Sequence, residues 1–403
     1  MILRARLVVP IASPPIENGA VAIEGHRIVG VGGAADFGKA DHDLGDVALM
    51  PGLINAHCHL DYTLLRGAIG PPKNFTAWVQ RINAIKRSLD DDDYLASIAR
   101  GFGELRKWGT TGVCNIESFP ELMPRLGPPP LRSWSFYEMI DIRHRITSDE
   151  VVQGALSFFS RRANPLDWYG LSPHAPYTAS LSLYRLACEC PDTFNMPLTT
   201  HVAESREEYE MFRHARGPLY DFMASLQRPM SDCGHAPPFT HLWRNGAIDA
   251  RWLLVHMNEL DEQDFTVLAG LPRGGGPAIV HCPGSHRYFG HSPFPYRRLH
   301  DLGLNVCVGT DSLASTSSLS LLDELRLLRT TEPWLTHEDL LRAVTVNPAR
   351  ALCREGRLGV LAPGAAADLI ALPVSGSVRA VHEEIVAHTQ PIPWMMIDGQ
   401  IRP

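Results

Sequence analysis

The stretch Pro51-Gly52-Leu53-Ile54-Asn55-Ala56-His57-Cys58-His59-Leu60-Asp61 decides the fold. Ile54 to His59 reads as the end of a buried strand, and side chains alternate faces along a strand. His57 and His59 therefore point the same way, while Cys58 points back into the packing. Two imidazoles about 6–7 Å apart on one strand face can bind a single divalent ion from one side. A lone His-x-His also fits packed core histidines. The decision rests on whether later strand ends supply further polar ligands.

Working outward, the middle of the chain alternates between helical and strand patterns. Helical periodicity runs through Phe75, Trp78, Val79, Ile82 and Ile85, then through Tyr94, Leu95, Ile98, Phe102 and Leu105. The acidic run Asp90 to Asp93 marks a helix N-terminus, where carboxylates suit the positive end of the helix dipole. Gly109 stops that helix, and an apolar strand follows at Gly112 to Ile116. Further strands are expected at Trp134 to Ile140, Trp168 to Leu171, Leu198 to His201, Trp252 to His256, Ala278 to His281 and Val306 to Gly309. With Leu53 to His59 this makes eight strands over roughly 260 residues, the count and length of a (β/α)8 TIM-type barrel. In that fold catalytic residues sit at the carboxyl ends of strands. His57, His59, His174, His201, His256, His281 and Asp311 all fall at or just beyond such ends.

The two ends of the chain share a different texture. Short strands are expected at Arg4 to Val9, Gly19 to Glu24, His26 to Val31 and Val47 to Met50, and again at Leu369 to Pro373 and Trp394 to Ile397. Residues 1–50 and 358–403 are therefore expected to form one small β-sandwich domain, with 51–357 as the barrel. Gly30-Val-Gly32-Gly-Ala-Ala35 superficially matches a dinucleotide fingerprint, but no long helix or acidic ribose ligand follows, so a β-turn is expected there.

Composition narrows the function classes. With 403 residues and 45% hydrophobic content the chain can bury one large core and a smaller satellite. A net charge of −7 without a long basic run argues against nucleic acid or an anionic membrane surface as a partner. No apolar run reaches membrane-spanning length, and Met1-Ile-Leu-Arg-Ala-Arg-Leu7 lacks a cleavable signal pattern. Cys58, Cys114, Cys282 and Cys307 lie inside apolar runs and read as reduced core residues, so a cytosolic (cytoplasmic) protein is expected. Lysine occurs only at positions 39, 73, 86 and 107.

These motifs together resemble the amidohydrolase superfamily, in its cytosine deaminase, chlorohydrolase and S-adenosylhomocysteine deaminase branch, over nearly the whole chain. The resemblance rests on Pro51 to His59 with Leu64-Leu-Arg-Gly67, His174-Ala-Pro-Tyr-Thr178, His201-Val-Ala-Glu204, His256, His281-Cys-Pro283, Gly309-Thr-Asp-Ser312 and Pro363-Gly-Ala-Ala-Ala-Asp368. It implies His57, His59, His201 and Asp311 as ligands of one divalent metal ion, Zn2+ first, with Fe2+ and Mn2+ as alternatives. Many relatives hold two metals bridged by a carboxylated lysine on the fourth strand. No lysine follows Lys107, which leaves a mononuclear site. The resemblance makes Glu204, His256 and Asp311 catalytic: Glu204 protonates a ring nitrogen, His256 hydrogen-bonds the water or developing oxyanion, and Asp311 also takes the water's proton. His174 resembles the family's substrate-contacting histidine.

The implied reaction is hydrolytic deamination of an amino-substituted heterocycle. Gly309 to Arg326 and Phe136-Tyr-Glu-Met139 are similar to deaminases of adenine-bearing nucleosides, aminodeoxyfutalosine deaminases included. Arg143 or Arg145 could bind a substrate carboxylate. Phe75 and Trp78 could cover a ring face, or be the buried stripe of an ordinary amphipathic helix. His281 reads equally as a packed strand-end residue and as a functional one. His286 replaces an asparagine of many relatives, and His291, His300, His337 and His382 read as surface or structural. Ser312 and Ser315 lack a Gly-x-Ser-x-Gly elbow, so serine hydrolase chemistry is discounted. The alternatives are chloride displacement or cyclic amide opening on the same ligands, and an inactive barrel scaffold. Relatives often form dimers, so a homodimer acting on a small-molecule substrate is the implied assembly.

Overall fold

A computed structural model describes residues 1–70, 72–142, 146–159, 166–190 and 196–402. Eight parallel strands follow one another as Leu53–His59, Thr110–Glu117, Arg132–Met139, Asp167–Pro173, Leu198–Val202, Trp252–His256, Ala278–His281 and Val306–Val308. Each pairs with the next. The ring closes where the chain beyond the eighth strand returns to the first: Asp311 and Ser312 pair with Cys58 and His59. This is the (β/α)8 barrel expected from the eight-strand spacing.

The interior of the barrel is filled by alternate residues of these strands, among them Ile54, Ala56, Cys114, Ile116, Trp134, Phe136, Leu253, Val255, Val280 and Cys307. Leu352 and Leu358 plug the same cluster from the loop after the helix Val346–Ala351. Helices pack on the outer face, where Leu105, Leu183, Leu325 and Leu328 join the larger core. The helix Asp91–Lys107 begins as the acidic run implied: the Asp90 side chain accepts from the Asp93 amide, and Asp91 to Asp93 occupy its first turn. Among the described residues no helix is long and apolar enough to cross a membrane.

Strands from both ends of the chain form one further mixed sheet. Its order is Gln400–Arg402, Trp394–Ile397, Leu369–Pro373, Val47–Pro51, Ile2–Val8, Ile16–Glu24, Arg27–Gly33, with His42–Asp43 beside Ile2–Val8. The segment Gly364–Ala367 ties its two edges together. The Ile28 amide donates to Ala365, the Ala367 amide donates to His26, and the Gly399 amide donates to Ala367. The enclosed core contains Leu3, Val21, Ile28, Leu49, Leu369 and Met396.

One local expectation is corrected. Gly30 and Gly32 lie inside the strand Arg27–Gly33, paired with Ala22 and Ala20, and not in a β-turn. Glycine is depleted in strands, which favoured the turn reading. Here its absence of side chain has a use: a Cβ on Gly30 would stand 2.8 Å from the Phe37 ring. The ring lies over the strand because the glycines leave it room.

Gly52 alone separates Val47–Pro51 from the first barrel strand, so the terminal sheet runs directly into the histidine strand. A second close approach lies at Gly309, where a Cβ would meet the His57 amide nitrogen and carbonyl oxygen, each at 2.8 Å. Backbone atoms cannot swing aside as side chains do. Gly309→Ala should therefore open the barrel closure and lower stability by about 1–3 kcal/mol, at the upper end of that range. The urea midpoint measures it, with Gly38→Ala, whose Cβ would meet open space at an ordinary backbone angle, as the comparison. An unchanged midpoint would refute the closure argument.

Candidate active site

Inside the barrel, strict alternation would point His256 outward, because Leu253 and Val255 already face the interior. The backbone overrides it. His256 adopts φ 77° and Met257 φ 51°, left-handed values rare for residues with a side chain. Ala203 (φ 52°) and Asp311 (φ 59°) do the same beyond the fifth and eighth strands. The first strand uses another device, a register shift between Asn55 and Cys58. Ile54 and Ala56 thus line the interior while His57 and His59 face the mouth and Cys58 packs outward. Hydrogen bonds hold these conformations: the Met257 amide donates to Val202, and the Asn258 and Glu259 amides both donate to Ala203.

The outcome is a cluster of lone pairs. Ligand atoms of His57, His59 and Asp311 lie within 4.8 Å of one another, as do those of His57, His201 and His256. The Nε2 atoms of His59 and His201 are 3.2 Å apart, and Asp311 Oδ1 stands 3.6 Å from His57 Nε2 and 3.8 Å from His59 Nε2. Donors about 2.0–2.1 Å from one tetrahedral ion would be separated by about 3.4 Å. Both ring nitrogens of His57 and Nδ1 of His59 are buried without a hydrogen-bond partner. Such atoms are costly to bury unless something takes their lone pairs. Burial pushes His201 down to about 3 with help from His57 and His174, and it holds His59 and His256 well below the usual imidazole range. The rings of His59, His201 and His256 are therefore neutral, the form that ligates metal. The residues fit a divalent metal ion.

The surrounding groups fix these donors. His201 Nδ1 meets the His174 carbonyl at 2.8 Å, which directs Nε2 into the site. Asp311 Oδ2 accepts from the hydroxyls of Ser285 at 2.7 Å and Ser315 at 3.0 Å, and Oδ1 accepts from the Ser312 amide at 2.7 Å. Burial pushes Asp311 up, but the neighbouring imidazoles, His57 first and then His256 and His59, outweigh it and hold the carboxyl well below its ordinary range. Ser315, set aside as a nucleophile in the sequence, here orients a carboxylate.

Glu204 is buried, with Oε1 3.6 Å from His256 Nε2. Burial raises its carboxyl well above the ordinary range, and the charges of Asp311 and Glu208 add to this. Its position is set by Glu208, whose carboxylate accepts from the amides of Ala203 and Glu204 at 3.0 and 2.8 Å. His174 faces the same space, with Nδ1 2.6 Å from the Thr178 hydroxyl and Nε2 4.0 Å from Glu138.

Other residues fall elsewhere. His281 stacks on Phe294 at 3.9 Å and belongs to neither ligand group. Phe75 is buried against Tyr177 and Phe289, on the core-facing stripe of the helix Phe75–Lys86. Trp78 is half-buried and meets Phe289 edge-on. Arg143 and Arg145 lie outside the described residues. His291 was expected at the surface or in a structural role. It is half-buried, beside Phe289 and His286, and burial pushes it down to about 3.

Sequence reasoning missed one wall of the site. Lys86 Nζ donates to the Tyr62 hydroxyl at 2.5 Å and lies 5.2 Å from the Phe119 ring centre. Its charge reaches Asp61 and His174. Asp61 is buried with both carboxyl oxygens unbonded, and burial raises it to about 7 against the pull of Lys86. Its place two residues beyond His59 was the available signal.

If Ser285 and Ser315 orient a metal ligand, their joint replacement by alanine should weaken metal affinity by about 10–100-fold. Competition with a chromophoric chelator measures this. Unchanged affinity would show the serines to be packing groups.

Comparison with known proteins gives the same direction. A 5-methylthioadenosine/S-adenosylhomocysteine deaminase of Pyrococcus furiosus is 29% identical over 337 residues, spanning 80% of this chain and 74% of the relative. An aminodeoxyfutalosine deaminase of Deinococcus radiodurans is 29% identical over 349 residues, spanning 83% and 81%. The crystal structure of an adenosine deaminase from Xanthomonas campestris with bound zinc is similar at a TM-score of 0.83 and 25% identity, over 99% of this chain and 92% of that one. Residues 48–399 match the amidohydrolase family, so the chain belongs to that family and is a hydrolase.

Proposed function

We propose that this enzyme is a mononuclear, zinc-dependent deaminase of an adenine-bearing nucleoside. The observation that carries the reading is Glu204. It is a buried carboxyl with a raised pKa, 3.6 Å from His256 and beside the imidazole cluster. A group held in its acid form can give a proton to a ring nitrogen, and no packing role requires one there.

His57, His59, His201 and Asp311 hold the ion in this reading. When bound, it lowers the pKa of a site water from about 15.7 toward roughly 7. Asp311 accepts the proton that this water loses, with its second oxygen still bonded to Ser285 and Ser315. Glu204 protonates the ring nitrogen next to the attacked carbon. His256 donates to the oxygen on that carbon as charge develops there. The proton held by Asp311 then passes to the amino group, the C–N bond breaks, and ammonia leaves. The proton still on the oxygen of the attacked carbon returns to Glu204, and the heterocycle keeps the water's oxygen as a carbonyl. His174, Glu138, Asp61 and Lys86 line one side, where their polar atoms suit hydroxyl groups of a sugar.

The named relatives support the substrate class: one is a 5-methylthioadenosine/S-adenosylhomocysteine deaminase and the other an aminodeoxyfutalosine deaminase. The zinc in the Xanthomonas campestris structure supports the metal. The absence of lysine after Lys107 supports a single ion.

Ammonia release should be measured across adenosine, 5-methylthioadenosine, S-adenosylhomocysteine, aminodeoxyfutalosine and aminopyrimidines, with zinc-loaded protein. Turnover of one nucleoside is expected. Glu204→Gln should cut its kcat by about 10²–10⁴-fold while leaving bound zinc at the wild-type level. Equal rates in the variant would remove Glu204 from the chemistry. Chloride from a chlorotriazine, or acid from a cyclic amide, with no ammonia from any nucleoside, would overturn the reading.

A further inference from the structure

A second concave site lies at the opposite end of the barrel, where the amino ends of the strands meet the terminal sheet. It is a cavity of about 290 Å³, lined by Arg27, Arg132, Arg354, Arg357, Trp168 and Asp398 among others. Four guanidinium groups face one carboxylate. Asp398 is already engaged, because Arg132 Nη2 donates to it at 2.7 Å while the rest of that guanidinium binds Asp368. The other three arginines have no acidic partner among the described residues. Arg27 donates to the Gly364 carbonyl at 2.9 Å, Arg354 donates to the Cys353 carbonyl at 3.4 Å, and Arg357 makes no ion pair.

Each guanidinium carries five N–H donors in a fixed plane, so most of this donor capacity is unused. Arg132 is shared by Asp368 and Asp398, so the four guanidinium groups and two carboxylates leave a surplus of two positive charges around one hollow, and these repel one another. This occurs in a chain whose net charge is −7, so it is not the local share of a generally basic surface. The arrangement is also braced. The Trp168 ring stacks on Trp134 at 4.8 Å and lies 5.8 Å from the Arg354 guanidinium and 5.9 Å from that of Arg132. Holding a guanidinium against an aromatic face reduces the entropy lost when it binds.

We propose that this cavity binds a doubly charged phosphate group, either free or as the monoester of a small molecule. Arginine forks match tetrahedral oxyanions bidentately, and the volume suits a small ion better than a drug-sized ligand. The ligand would touch Arg27 of the terminal sheet together with Arg354 and Arg357 of the barrel's closing loop. Binding there ties the two parts of the chain together and stabilises the folded state by mass action.

Isothermal titration of the zinc-loaded protein with inorganic phosphate and, separately, with ribose 5-phosphate tests the assignment, alongside thermal unfolding at matched ionic strength in sodium chloride. Saturable binding of at least one of the two is expected, with a rise in Tm of about 2 °C or more that chloride does not reproduce. Binding of the ester alone would identify an esterified phosphate as the ligand. Arg354→Gln/Arg357→Gln should weaken affinity by about tenfold or more, with zinc content and far-UV circular dichroism unchanged. Arg27→Gln, on the other wall, should weaken it by a smaller factor and serves if the double variant does not fold. Binding of equal strength in these variants would place the anion elsewhere, at the zinc for instance, and overturn the proposal. So would the absence of saturable binding, or a stabilisation that chloride matches.

Discussion

Everything at the mouth of the barrel depends on one unfavourable arrangement: several nitrogen and oxygen lone pairs aimed at the same point, those of His57 with no hydrogen-bond partner. Two Nε2 atoms at 3.2 Å, a carboxylate oxygen at 3.6–3.8 Å and the unbonded nitrogens of His57 are costly in a buried place. A cation converts that cost into binding energy. The rest of the structure can be understood as what keeps the donors from relaxing apart. The Ser285 and Ser315 hydroxyls hold Asp311, and the His174 carbonyl holds His201. Glu208 holds the turn carrying Glu204, and Gly309 lets the eighth strand approach the backbone of His57.

Backbone strain is spent at the same place. Ala203, His256, Met257 and Asp311 adopt left-handed φ without being glycine. Glycine would adopt these angles more easily, but it has no imidazole or carboxylate to present. The local conformational cost, of order 1–3 kcal/mol for each such residue, persists because crossing hydrogen bonds between the fifth and sixth strand ends hold Ala203, His256 and Met257, and the bonds from Ser285, Ser312 and Ser315 hold Asp311. Hydrophobic alternation supplies the barrel, and deviations from alternation supply the site.

This explains what the sequence made legible. The eight strands follow from period and length, and the polar residues at their carboxyl ends could be found because a parallel barrel gathers those ends. Which way His256 faces could not be found, since alternation predicts the wrong side and only a left-handed residue corrects it. Gly30 and Gly32 misled for a related reason. A glycine pair signals a turn unless a distant ring, here Phe37, needs the space. Lys86 and Asp61 escaped notice because each has an ordinary local reading, at the end of an amphipathic helix and in a strand-end turn. Their proximity exists only in three dimensions.

The single ion of the proposed function is supported by charge as well as by the missing lysine. Asp311 is the sole anionic member of the four candidate ligands, so a divalent ion among them would retain a net positive charge. That residual charge favours loss of a proton from water at the site. A second divalent ion alongside would find no carboxylate among the four candidate ligands beyond Asp311 to offset its repulsion. The barrel offers no bridging lysine: the fourth strand, Asp167–Pro173, contains none, and the Lys86 ammonium is engaged by Tyr62. Glu204 is the nearby carboxyl that might have served instead. Its burial and the charge of Asp311 favour its neutral form, which suits it to giving a proton and not to binding a second metal.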